Sequence, residues 1–112
     1  MSAGQVVALI AIVTTMYLPA RPQLMSCMVY KESSYKPGAV NGIHRGLGQY
    51  NPDTWEWFVE MALADPLFIH ADVVRENPSQ DDPVVALLIM GWAIRQGHGN
   101  HWATYETCKG EQ

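Results

Sequence analysis

Asn51-Pro52, Asp65-Pro66 and Asp82-Pro83 govern how this chain can be divided into elements. An Asn or Asp side chain accepts the unpaired amide hydrogens of a helix's first turn. Proline has no amide hydrogen and a φ locked near the helical value, so it suits the first helical position. The pairs predict helices from Pro52 to about Ala64, from Pro66 to about Glu76 and from Pro83 to about Gln96. Gly97-His98-Gly99-Asn100 closes the last of these and leaves a tail carrying Trp102, Tyr105 and Cys108. Upstream, Pro22 to about Ser34 places Leu24, Cys27, Met28 and Tyr35 on one stripe, and Pro37-Gly38 stops it. Residues 36–50 read as irregular, with Gly38, Gly42, Gly46 and Gly48 permitting tight backbone. No strand-like alternation exceeds four residues. The expected fold is all-α or mostly α, about five to six short helices in one domain over residues 1–112.

The N-terminus holds an apolar run from Val6 to Leu18, interrupted by Thr14 and Thr15. It is too short to span a bilayer, which takes about 20 residues. A signal peptide is the alternative, but Met-Ser-Ala-Gly-Gln brings no positive charge, and Leu18-Pro19-Ala20-Arg21-Pro22 is a proline-flanked turn without a small-x-small cleavage site. Val6, Val7, Ile10, Val13 and Tyr17 recur at helical spacing, which predicts a first helix packed on the core. With 48% apolar and 16% charged residues the chain can bury a core. Seven Lys+Arg against eleven Asp+Glu argue against a nucleic-acid partner, which needs a basic footprint.

Common nucleophile and phosphate-loop motifs are absent from the sequence. His98-x-x-His101 has metal-pair spacing, but the glycine between them favours two polar loop histidines. Two cysteines are too few for a four-ligand zinc site, and they do not form a C-x-x-C. Glu32 falls on the last turn of the second helix, beside Tyr30 and Tyr35. The negative end of the helix dipole and apolar cover from these rings, Trp55 or Trp57 would both disfavour its charged form, as a general acid requires. A solvated helix-end glutamate is the plain alternative.

Taken in order, residues 6–57 carry a denser pattern: Tyr17-Leu18-Pro19 after an apolar helix, Glu32-Ser33-Ser34-Tyr35-Lys36-Pro37-Gly38-Ala39-Val40-Asn41, then Gly46-Leu47-Gly48-Gln49, then Pro52-Asp53-Thr54-Trp55. This resembles the lysozyme-like soluble lytic transglycosylase domain. Gly97-His98-Gly99-Asn100-His101-Trp102 and Cys108 resemble, more weakly, the Gly-rich turn, Trp and terminal Cys of small phage-encoded members. The resemblance implies that Glu32 protonates the glycosidic oxygen of the MurNAc–GlcNAc bond, that Ser33 shapes the site, and that Gly46, Leu47 and Gln49 line the sugar groove. It casts Trp55 as a packing residue or a sugar-stacking ring. It calls for peptidoglycan glycan strands as partner, with other phage virion or tail proteins as further partners, and for no metal or cofactor. Two departures stand out. His44-Arg45 replaces the family's Gly-Ala in a loop one residue short, which makes Arg45 a solvated side chain or a contact for a peptide-stem carboxylate. Ile94-Arg95 replaces its Tyr-Asn, leaving Tyr105 as the substitute sugar-positioning tyrosine.

The implied chemistry uses one carboxyl. Glu32 gives a proton to the leaving oxygen, then takes one from the MurNAc C6 hydroxyl, leaving a 1,6-anhydro sugar. A hydrolytic muramidase would instead need a second carboxylate facing the groove, with Asp53, Glu56 and Glu60 as candidates, and a structural virion protein would need neither. Cys27 and Cys108 either form a bridge tethering the tail to the helix of Glu32 or remain two buried thiols. A bridge fits an oxidising compartment, and so a virion-associated protein delivered to the bacterial periplasm or cell wall.

Overall fold

The computed structural model of the chain describes residues 1–110. Among the described residues six α-helices run in order: α1 Ala3–Tyr17, α2 Leu24–Ser33, α3 Pro52–Ala64, α4 Ala71–Glu76, α5 Pro83–Arg95 and α6 Ala103–Cys108. A 3₁₀ turn at Gly99–His101 precedes α6, and two short strands, β1 Val40–Asn41 and β2 His44–Arg45, lie between α2 and α3. The mostly α expectation holds.

Helix starts follow local chemistry. Ser2 and Gln5 form a reciprocal capping box on α1. Asn51 accepts the Thr54 amide with Pro52 in the first turn of α3. Asp82 accepts the amides of Val84 and Val85, with Pro83 opening α5. Asp65-Pro66 behaves differently, and the helix expected from Pro66 begins only at Ala71. Asp65 ends α3, and its carboxylate accepts the Leu67 amide and the Trp92 indole N–H, each at 2.9 Å. Those bonds hold residues 65–67 in a turn that buries Phe68 and leaves Leu67 and Ile69 exposed. They also stabilise the Asp65 carboxylate, so its pKa lies below the ordinary value.

Residues 36–50 are more ordered than expected. Val40 pairs with Arg45 and Asn41 with His44 across an antiparallel hairpin, whose first loop residue, Gly42, sits at φ 61°, where glycine is favoured. The second helix is also shorter than Pro22–Ser34, and Ser34 closes it in a left-handed conformation before Pro37-Gly38 is reached.

Every residue of α5 from Val85 to Ile94 is buried, as expected of a helix apolar on all sides and placed at the centre. α1 and α3 pack on it. The buried stripe of α1 is Val6, Ile10, Val13, Thr14 and Tyr17, whereas Val7 faces outward. At its end the Tyr17 hydroxyl, its pKa pushed up to about 12 by burial, lies 2.7 Å from His70 Nδ1 and ties α1 to the start of α4. Among the described residues no helix is long and apolar enough to cross a membrane.

Candidate active site

The end of α2 is an abrupt reversal. Ser33 is buried and its hydroxyl donates to the Val29 carbonyl at 3.0 Å, so this side chain serves its own helix. Ser34 and Tyr35 follow at φ 53° and 61°. Consecutive non-glycine residues at positive φ cost free energy, and surrounding contacts must hold them there. Tyr35 provides such contacts: its hydroxyl lies 2.9 Å from Ser26 Oγ, and its ring packs on Tyr30 at 5.4 Å. Glu32, one residue before this reversal, is half-buried, and its Oε2 accepts a 2.7 Å hydrogen bond from Thr104 Oγ1 of α6.

The Gly-Leu-x-Gln loop is braced from within. Gln49 adopts φ 50° and is buried. Its amide nitrogen donates to the carbonyls of Ala39 at 3.0 Å and Gly46 at 2.9 Å, and its oxygen accepts from Asn41 at 3.1 Å. Gln49 thus closes residues 39–49 on themselves. Leu47 is wholly buried in the core, and Gly46 lies at φ 82° directly against the Gln80 carbonyl. The side-chain amide of Gln80, also buried, donates to the Tyr50 carbonyl at 2.6 Å.

Two residues of the C-terminal segment connect this loop to Glu32. Trp102 donates its indole N–H to the Gly48 carbonyl at 2.8 Å, and Thr104 donates to Glu32. Trp102 and Thr104 are two residues apart, so the 46–49 loop and Glu32 are both tied to one short stretch of chain. A disulfide joins Cys27 to Cys108, with Cα atoms 5.7 Å apart, and fastens α6 to α2.

Other expected side chains have different partners. The Tyr105 hydroxyl accepts from Arg21 Nη1 at 3.0 Å, with the Arg21 guanidinium over its ring. Arg45 pairs with Asp81 at 3.4 Å, both about half exposed, a geometry that contributes at most about 1 kcal/mol. Trp55 is buried on Tyr50 and donates to the Pro78 carbonyl, a packing role. Trp57 stacks on Phe58 next to His98 and His101, whose rings are 6.0 Å apart. Asp53 is exposed on the first turn of α3, whereas Glu56 and Glu60 line an open groove of about 460 Å³ with Trp55 and Gln80. A smaller cavity of about 40 Å³ lies between Gln49, Asn51, Thr54, His101 and Trp102.

Sequence reasoning missed Thr104 and Gln80. Their partners are 72 and 30 residues away, and neither belongs to a local pattern.

Tyr50 underpins the loop. Its hydroxyl donates to the Ala86 carbonyl at 2.7 Å, and its ring meets Trp55, Phe58 and Trp102 edge-on. Full burial pushes its pKa well above the ordinary value of 10. An unfolded tyrosine ionises near 10, so this contribution to stability is complete below pH 10 and is lost as pH rises beyond it. Tyr50→Phe is expected to cost about 1 kcal/mol at pH 7 and to flatten, though not abolish, the alkaline loss, because Tyr17 adds to the same trend. Urea unfolding between pH 8 and 11 measures both effects.

No family model matches this chain, and neither a curated protein nor a solved structure matches it.

Proposed function

We propose that the chain is a peptidoglycan lytic transglycosylase that cleaves the MurNAc–GlcNAc β-1,4 bond. Glu32 acts as acid and then base, leaving 1,6-anhydro-MurNAc ends. The observation that carries this reading is that Trp102 and Thr104, two residues apart, bond the Gly-Leu-x-Gln loop and a half-buried glutamate near a strained helix end to the same short segment. A half-buried carboxyl with one oxygen held by Thr104 suits proton transfer to a leaving oxygen. As the C1–O bond breaks, the oxocarbenium-like charge is steadied by the substrate's own acetamido group. The C6 hydroxyl then attacks C1 and returns its proton to Glu32.

Asp53 stands where the helix dipole alone favours an acid, whereas Glu56 and Glu60 line the open groove with Trp55 and are the carboxylates a hydrolytic reading would call on. The Cys27–Cys108 bridge suits an oxidising compartment. It fits a phage enzyme, virion-associated or released to the periplasm and wall, acting during entry or lysis.

Mass spectrometry of muropeptides released from purified peptidoglycan tests the assignment, with wild type beside Glu32→Gln. Anhydro-muramyl products from wild type and none from the variant are the expected result. Reducing ends would replace it with a hydrolytic muramidase, and no product from folded wild type would leave a structural virion protein.

A further inference from the structure

Thr104 is the second residue of α6, and its hydroxyl reaches Glu32 Oε2 at 2.7 Å, an ordinary O–H···O hydrogen-bond length. A six-residue helix has no stability of its own, so the position of Thr104 depends on what fastens α6. Three ties do so: the Cys27–Cys108 bridge, Arg21 Nη1 to the Tyr105 hydroxyl at 3.0 Å, and Arg21 Nη2 to the Lys109 carbonyl at 3.1 Å. Cys27 and Glu32 lie on α2, and Thr104 and Cys108 on or next to the matching turns of α6. The covalent and the hydrogen-bonded links therefore join the same two helices.

We propose that Thr104 is the positioning residue of the acid, an inference that rests on the transglycosylase reading of Glu32. With Oε2 accepting from Thr104, the carboxyl cannot turn freely, and its exchangeable proton is carried on Oε1. In the first step that proton passes to the glycosidic oxygen as the C1–O bond breaks, and the Thr104 hydroxyl steadies the carboxylate left behind. In the second, the C6 oxygen bonds to C1 and its proton returns to Oε1. Thr104 keeps its own proton throughout and acts through Glu32.

The test is steady-state release of anhydro-muramyl ends from soluble, uncrosslinked glycan strands by wild type, Thr104→Val, Thr104→Ser and Glu32→Gln, with a melting curve for each. Thr104→Val is expected to lower kcat on the order of 10- to 100-fold at unchanged KM, as misorientation of a reacting group does. Thr104→Ser, which retains the donor, should stay within about threefold of wild type. Thr104→Ala brings no new apolar bulk to the half-buried site and should show the same loss if the valine variant fails to fold. Wild-type kcat in Thr104→Val, or equal losses in the serine and valine variants, would overturn the positioning role alone. A wild type that releases no product would remove the transglycosylase reading and this inference with it.

Discussion

Replacing Cys27 and Cys108 together by serine is expected to lower the unfolding free energy by about 4–5 kcal/mol. The bridge spans 81 residues, and closing a loop of that size removes roughly this much conformational entropy from the unfolded chain. The whole stability of a domain this size is of the order of 5–15 kcal/mol, so the variant should unfold at a much lower urea concentration, and wild type in reductant should move with it. The loss should also be uneven. α6 is short and draws its position from the bridge and from Arg21, so its amides should exchange with solvent well before those of α5, whose residues from Val85 to Ile94 are all buried. Urea unfolding with and without reductant, followed by residue-level hydrogen exchange, measures both. A loss below about 1 kcal/mol would show that the non-covalent ties alone seat the C-terminal helix.

Gly46→Ala is the second large effect, at about 3–4 kcal/mol. Two costs combine at this position. Gly46 has φ 82°, a conformation that charges an L-residue about 1–3 kcal/mol. A Cβ there would also run into the Gln80 carbonyl, which is backbone and cannot swing aside. Moving the Gln80 segment would disturb its bonds to the Tyr50 and Arg45 carbonyls at 2.6 and 3.5 Å, adding the cost of a broken buried hydrogen bond. Gly42→Ala is the control. It also sits at positive φ, 61°, but with open space around it, so only the conformational part, about 1 kcal/mol, is expected. Thermal unfolding of the two variants separates the terms. Equal losses would mean that the Gln80 contact yields easily.

The elements that sequence reasoning placed well are those whose deciding contacts are local. Asn51 and Asp82 cap helices because the amides they accept lie two or three residues away, and the α1 stripe follows from helical spacing. Asp65-Pro66 looks the same on paper yet ends a helix, because its carboxylate is drawn to the indole of Trp92, 27 residues on. Gln49 illustrates the same limit at the candidate site. The motif marks the residue, but only the folded loop shows the amide turned inward onto the carbonyls of Ala39 and Gly46.

The sequence by itself determined the helical class, two of the helix starts, the isolation of two cysteines that form no C-x-x-C, and Glu32 at a helix end. Tertiary structure alone decided that Thr104 covers Glu32, that Trp102 holds Gly48, that Gln80 wedges against Gly46, and that Arg21 claims the hydroxyl of Tyr105. The physical reason is range. Capping and apolar periodicity act within one or two turns and leave a pattern in neighbouring letters, whereas a buried polar group bonds to whatever distant group the packing of the core brings within about 3 Å of it.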